Sequence, residues 1–339
     1  MKISLILPSN RSSASAISRI FLWSDFDPKH FELIVRDNSG VENKRRLIES
    51  LGESCLQYYS VPPCDAFENC LEALKLATGD FVFFLADDDN LSMRGAEKVS
   101  SLVRLVGSDV SGVTGKYLIE GEGPGGVFAY PDLTSQDFNT RFANYISTGV
   151  NFLYYSTIRR SVIDKAFGFL KNLPFKLSFH DQLISVIYLA AGKFAQTPDV
   201  VYSYDMGAWE TFEKSLRQDR GFYVKAGLPI EIDLLHFLLM ALEGAYLIES
   251  DFFQDLVTGS SLGATDLWFS TQFSKFLNID RSHGLDLTTD PGSRILRFRE
   301  KINGKNNVDL DELLVDVCEL LDSFEGIDAQ RYFSFWSQL

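Results

Sequence analysis

Short apolar runs alternate with longer amphipathic stretches over the first hundred or so residues, and each run stops at a cluster of small polar groups. Residues 2–8 end at Pro8 and pass into Ser9-Asn10-Arg11-Ser12-Ser13, while Phe31–Arg36 ends at Asp37-Asn38-Ser39-Gly40. Leu56–Ser60 leads to Pro62-Pro63, and Phe81–Leu85 runs through Ala86 into Asp87-Asp88-Asp89-Asn90. These runs are too short for independent helices and are bounded by turn residues, which predicts strands. Helices are predicted between them over Ser15–Trp23, Asn43–Leu51 and Ala66–Ala77, and after them over Met93–Val106, where Val99, Leu102, Val103 and Val106 share a face. Regular strand and helix alternation is the pattern of a doubly wound, mostly parallel α/β sheet.

The alternation then weakens. Strands are predicted at Val113–Ile119, Val127–Tyr130 and Thr148–Ser156, with a helix around Arg159–Ala166. Phe179-His180-Asp181-Gln182 opens an apolar helix to Ala191, and Phe194–Tyr204 reads as a strand. From about residue 220 the pattern is helical, with periodic segments near 231–249, 264–278, 292–302, 309–323 and 327–337. The predicted organisation is an α/β domain over 1–220 and a helical C-terminal module over 221–339, for acceptor recognition, membrane apposition or oligomerisation.

Composition narrows the partners. A net charge of −14 argues against nucleic acid, whose phosphates want dense Lys and Arg. Phosphorylated small molecules stay open if a metal bridges them. Cys55, Cys64, Cys70 and Cys318 show neither CxxC pairing nor zinc spacing with the histidines, and His236 and His283 read as packed or surface groups. The opening residues lack a signal-peptide pattern, so the expected location is cytoplasmic. Ile232–Ile248 carries Asp233, His236 and Glu243 and is short for a bilayer span, so a packed helix is predicted there. With 28 Phe residues, peripheral contact at the inner face of a membrane stays open.

The chemistry concentrates where the acidic run meets its strand. Strand C-terminal ends are the ligand edge of open α/β sheets. Three adjacent carboxylates there repel one another unless a cation or solvent compensates them, and hard divalent ions such as Mg²⁺ take oxygen ligands of this kind. The plainer alternative is a solvated acidic turn. The loop Gly121–Gly126 lacks the phosphate-loop spacings and reads as a hairpin connection or lid. Asp181 at a helix start is either a favourable first-turn charge or a general base.

Four places, in order, resemble GT-A fold glycosyltransferases of the family 2 type. Ile3–Arg11 is similar to that family's opening strand, an apolar run ending in Pro-Thr/Ser-x-Asn/Arg. Leu33–Ser39 resembles its second strand, Ala77-Thr78-Gly79-Asp80-Phe81 through Asp89 its Ala-x-Gly-Asp segment and aspartate-rich motif, and Phe179–Gln182 its later acidic motif at a helix start. Two positions depart from the pattern. Ala86 stands in the first acidic place of Asp-x-Asp-Asp, and His180 stands where an acid is commoner.

The resemblance implies an inverting, metal-dependent transferase that moves a sugar from a nucleotide-diphospho sugar, UDP-sugars favoured, to a hydroxyl of a saccharide or lipid-linked acceptor, as in surface polysaccharide synthesis. It implies Mn²⁺ or Mg²⁺ held by Asp87 and Asp89, and Asp181 as the base with His180 as helper. Asp37 would meet the nucleotide base, Pro8, Ser9, Asn10 and Arg11 would shape the base and phosphate pocket, and Asp88 would reach ribose or sugar. A homo-oligomer is compatible with this. A nucleotidyltransferase would want a more basic, Gly-rich first loop. The main alternative is a non-catalytic nucleotide- or glycan-binding module derived from a transferase, which binds without turnover.

Overall fold

The computed structural model describes all residues except 52–54, 121–124, 209–213, 215, 216, 218, 219, 222, 225, 279–288 and 304–307. The first four residues of the glycine-rich loop, and His283, therefore lie outside the described residues. The chain divides into two compact units, Met1–Gly168 with Ile184–Gly207, and Phe169–Leu183 with Ala208–Leu339. The second unit thus begins near residue 208 rather than 221, and it takes in a separate segment, 169–183.

The first unit is built on a sheet of nine strands: β1 (Ile3–Ser9), β2 (Phe31–Asp37), β3 (Leu56–Ser60), β4 (Phe81–Phe84), β5 (Asn90–Leu91), β6 (Val110–Glu120), β7 (Gly126–Phe128), β8 (Thr157–Arg159) and β9 (Lys193–Asp205). Their order is β3-β2-β1-β4-β8-β6-β9-β5, with β7 paired to β6. The four longest ladders, β1 with β2, β1 with β4, β2 with β3 and β6 with β9, are all parallel. The inner strands β1, β2 and β4 are buried along almost their whole length, which is why they read as continuous apolar runs rather than alternating ones. β3 lies at the edge and is only half-buried.

The crossover helices α1 (Ala14–Ser24), α2 (Glu42–Glu49), α3 (Ala66–Leu76) and α4 (Met93–Val103) fall within a few residues of the predicted ranges. Three of them are started by side-chain caps. Ser13 accepts from Ala16 N, Asp65 from Glu68 N and Ser92 from Gly95 N.

The segment after β7 differs from expectation. Helix α5 (Phe138–Thr148), unforeseen in the sequence, is capped by Asp137, whose carboxylate accepts from Thr140 N at 2.8 Å. It stops at Gly149, whose φ of 67° suits glycine. The predicted strand Thr148–Ser156 is therefore replaced by a helix end, a 3-10 turn at Leu153–Tyr155 and the short β8. Asn151 is anchored in this turn, its side-chain oxygen accepting from Tyr145 Oη at 2.9 Å and Ser185 Oγ at 2.6 Å. Helices α6 (Arg160–Asn172) and α7 (His180–Ala190) follow, and the division between the units falls inside each.

The second unit is helical. A 3-10 turn at Ile230–Leu235 leads into α8 (His236–Glu249), a one-turn helix (Asp251–Gln254), α9 (Ala264–Leu277), α10 (Asp290–Asn303), α11 (Leu310–Leu321) and α12 (Ala329–Trp336). Helix α8 is buried on nearly every face, so Ile232–Ile248 forms the core of this unit. Trp268 of α9 is fully buried and donates from Nε1 to Met240 O at 2.9 Å. Among the described residues no helix is long and apolar enough to cross a membrane.

Candidate active site

Parallel register brings the polar strand ends together. Ser9 closes β1 opposite Asp37 of β2, and β4 lies on the other side of β1, so the acidic run emerges beside the Ser9–Arg11 loop. Asp87 is 6% exposed and folds back onto that loop. Its Oδ2 accepts from Ser9 Oγ at 2.9 Å, Asn10 N at 3.1 Å and Arg11 N at 2.9 Å, and its main-chain oxygen accepts from Arg19 Nη1 at 2.9 Å. Ser9, Asn10 and Arg11 thus meet the acidic run directly, with Pro8 half-buried just before them.

Asp88 is the open member of the trio. Its side chain is 31% exposed, and Oδ2 lies 2.5 Å from Arg11 Nη1, which also stands 3.6 Å from Asp87 Oδ1. Asp89 points the other way. It is 2% exposed, with Oδ2 accepting from Tyr202 Oη at 2.7 Å and Oδ1 from Asp205 N at 2.9 Å. Burial, reinforced by the neighbouring charge of Asp88, pushes its carboxyl up to about 7.

This geometry revises the expectation that Asp87 and Asp89 form the metal pair. Asp89 uses both oxygens to tie the acidic run to β9. Among the described residues, no three His, Cys, Asp or Glu side chains converge as a metal cage. What remains fits an ion held by one or two carboxylates and completed by substrate phosphates, the usual arrangement for Mg²⁺. Asp88, whose Oδ2 meets Arg11, and the less engaged Oδ1 of Asp87 are the carboxylates that would hold such an ion.

Asp37 is 2% exposed and fully engaged. Lys44 Nζ donates to its Oδ1 at 2.9 Å, Ser39 N donates to the same oxygen at 3.0 Å, and Tyr58 Oη donates to Oδ2 at 2.6 Å. Burial works against the carboxylate, but the hydrogen bonds from Tyr58, Lys44 and Ser39 outweigh it and hold the group below the usual carboxylate range. Lys44 Nζ also donates to Ser9 Oγ at 2.7 Å, and Ser9 Oγ donates in turn to Asp87. A chain of hydrogen bonds therefore runs Tyr58, Asp37, Lys44, Ser9, Asp87 across the ends of four adjacent strands.

Lys44, Tyr58, Tyr202 and Arg19 went unread in the sequence. Lys44 sits among Glu42, Arg45 and Arg46 and looks like one more charge on a solvated helix face. The signal that could have found it is place: Lys44 falls in the first turn of the helix that follows β2, a short loop away from the strand end at Asp37.

The later motif belongs to the helical unit. Asp181 stands half-buried in the first turn of α7. His180 is 5% exposed and spends both ring nitrogens internally: Leu177 N donates to Nδ1 at 3.1 Å, and Nε2 lies 2.9 Å from Glu243 Oε2. With its lone pair used and its proton directed to Glu243, His180 has no nitrogen left to relay an acceptor proton, contrary to its expected role as helper.

No protein-family model matches the chain, and no curated protein matches it in sequence. Among solved structures, residues 1–349 of S. aureus TarS in complex with UDP-GlcNAc are 15% identical, with 100% of this chain and 91% of that chain covered and a TM-score of 0.55. The mannosyltransferase PcManGT from Pyrobaculum calidifontis, in complex with GDP-Man and Mn²⁺, is 10% identical over 99% of this chain and 84% of that one, with a TM-score of 0.47. Together with the strand order and the acidic end of β4, the TarS likeness identifies the fold: the chain has the fold of the GT-A-type glycosyltransferases.

Proposed function

We propose that this protein is an inverting glycosyltransferase that moves a sugar from a nucleotide-diphospho sugar to an acceptor hydroxyl. The observation that carries the reading is the acidic run at the end of β4, with Asp87 locked to the β1 loop, Asp89 locked to β9, and Asp88 left open beside Arg11. Two carboxylates used as fasteners hold a third in place at the ligand edge of the sheet.

In this reading the Arg11 guanidinium receives the phosphates, and Asp88 with Asp87 would hold a divalent ion. Such an ion, when bound, offsets the charge of the departing nucleoside diphosphate. Asp37, buried with both oxygens engaged, braces the end of β2 where the base is expected instead of meeting the base directly, and Lys44 fixes its orientation. Asp181 takes the proton of the attacking hydroxyl, a part that rests on motif order. As that oxygen bonds to the anomeric carbon, the bond to the diphosphate oxygen breaks, and a single displacement inverts the configuration. UDP-sugars are the favoured donors, a saccharide or lipid-linked saccharide the acceptor, and surface glycan synthesis on the cytoplasmic side the setting.

The test is a thermal-shift panel of UDP, GDP, CDP and dTDP, each with and without Mn²⁺, on the wild type and Asp88→Asn. A ligand at a hundred times its Kd adds about 2.7 kcal/mol of stability. A Mn²⁺-dependent shift with UDP, abolished in Asp88→Asn while the unliganded melting temperature is unchanged, is the expected result. No shift with any of the four would remove the acidic strand end as a nucleotide site. Binding without transfer to any saccharide acceptor would favour the non-catalytic module.

A further inference from the structure

The second unit contains a polar network in its apolar centre. His180 Nε2 is 2.9 Å from Glu243 Oε2, and Tyr332 Oη donates to Glu243 Oε1 at 3.0 Å. The residues are 5%, 1% and 0% exposed, and they come from α7, α8 and α12. Because Leu177 N–H occupies Nδ1, the ring proton sits on Nε2 and points at Glu243.

We propose that Glu243 and Tyr332 are positioning residues that act through His180 to fix the first turn of α7, and with it Asp181. The inference rests on the proposed glycosyltransferase reading and deepens it: the C-terminal helices are the seat of the base rather than an appended recognition module.

Three observations support this. The segment Phe169–Leu183 belongs to the same compact unit as the C-terminal helices. It is also held there along its length. Phe169 stacks on Phe252 at 5.1 Å, Phe175 stacks on Tyr332 at 5.2 Å, Ser178 Oγ lies 3.0 Å from Tyr223 Oη, and Phe179 packs edge-on to His236 at 5.0 Å.

The third is the chemistry of Glu243 itself. Helix α8 is almost wholly apolar, and a buried polar network there, taken as a whole, contributes no more to stability than well-packed hydrophobes filling the same space. What a carboxylate adds is direction: one oxygen is fixed by Tyr332 and the other fixes the His180 ring. Asp181 is the next residue along the helix. Displacing a reacting group by about 1 Å lowers a rate by about a hundredfold.

The experiment compares Asp181→Asn, Glu243→Leu, Glu243→Gln and Tyr332→Phe in the full chain, reading melting temperature, nucleotide-induced thermal shift, and kcat and KM for the donor. Expected for Glu243→Leu, which leaves the His180 Nε2–H and the Tyr332 hydroxyl buried without their acceptor, are a lowered melting temperature, an intact nucleotide shift and donor KM in the folded protein, and a fall in kcat of about a hundredfold when assayed well below that melting temperature. Glu243→Gln, which keeps a hydrogen-bonding group at the same place, returns kcat to within about tenfold of wild type, and Tyr332→Phe lies between. A purely structural role would lower the melting temperature while leaving kcat of the still-folded protein near wild type in every Glu243 and Tyr332 variant. Wild-type kcat in Glu243→Leu and Tyr332→Phe, alongside an inactive Asp181→Asn, overturns the positioning proposal alone. Wild-type activity in Asp181→Asn overturns the base assignment and the proposal with it.

Discussion

Lys44 Nζ lies 2.9 Å from Asp37 Oδ1, and neither side chain is more than 2% exposed. A lysine this deep is stable only because both of its hydrogen-bond acceptors, Asp37 and Ser9, belong to the strand ends, so the charge that organises them comes from α2 and not from the site loops. Lys44→Met leaves Asp37 as a buried unpaired charge. Breaking such a pair costs about 3–5 kcal/mol. Urea unfolding of Lys44→Met should show a loss of that order, and Lys44→Met with Asp37→Asn should recover part of it. Equal stability of the single and double variants would mean that Asp37 finds another partner.

Tyr202 makes an independent prediction at the other end of the acidic run. Its hydroxyl donates to Asp89 at 2.7 Å and receives Ala86 N at 3.4 Å, fastening the turn after β4 to β9. A hydrogen bond contributes about 0.5–1.5 kcal/mol between neutral groups and about 1.5–3 kcal/mol to a charged one, and the Asp89 carboxyl, pushed up to about 7, stands between them, so about 1–2 kcal/mol is at stake. Tyr202→Phe should lose that much in chemical denaturation, and the Mn²⁺-dependent nucleotide shift should weaken because Asp88 is no longer held between two fixed neighbours. A stability loss with an unaltered nucleotide shift would detach Asp89 from the site.

These two networks mark where the sequence stopped being legible. The parallel half of the sheet could be read because β1, β2 and β4 are buried on both faces and show as unbroken apolar runs. The site was legible as a place, since its acids and caps follow those runs directly. Roles within it were not. Asp87, Asp88 and Asp89 are identical in the sequence, and only the partners brought by β1, α1 and β9 make two of them fasteners and leave the third part-exposed beside Arg11. Likewise α5 was hidden because its apolar positions Phe138, Phe142 and Tyr145 are interleaved with Asn and Thr, and because Gly149 looked like the start of a strand instead of the end of a helix.

Packing in the helical unit has a sharper dependence on one atom. A Cβ placed on Gly244 would stand 2.0 Å from Trp268 Nε1, the ring that donates to Met240 O and is fully buried. The indole cannot retreat without breaking that bond and opening α9 away from α8. Gly244→Ala should therefore destabilise by about 1–3 kcal/mol, against the small gain that alanine gives in an exposed helix. Circular dichroism melts would check this. A rise in melting temperature would mean that α9 slides freely on α8.

His236 gives the unit a pH dependence with a definite sign. Its Nδ1 lies 3.1 Å from Tyr223 Oη and 3.4 Å from Ser178 Oγ. Burial, with the nearby His180 and Lys275, pulls its pKa down to about 4. The unfolded chain takes up this proton near pH 6.5, so between roughly 6.5 and 4 it binds a proton that the folded chain does not. Stability should fall as pH drops through that window and be flat above it. Asp233, pushed up to about 6 mainly by burial, slopes the opposite way between its ordinary value and 6. The informative quantity is therefore the difference between wild type and His236→Gln at each pH. Relative to the variant, wild type should lose on the order of 2 kcal/mol between pH 7 and pH 4.5 in urea titrations. A constant difference across that range would mean that the ring is charged in both states or in neither, and the packed neutral imidazole would have to be abandoned.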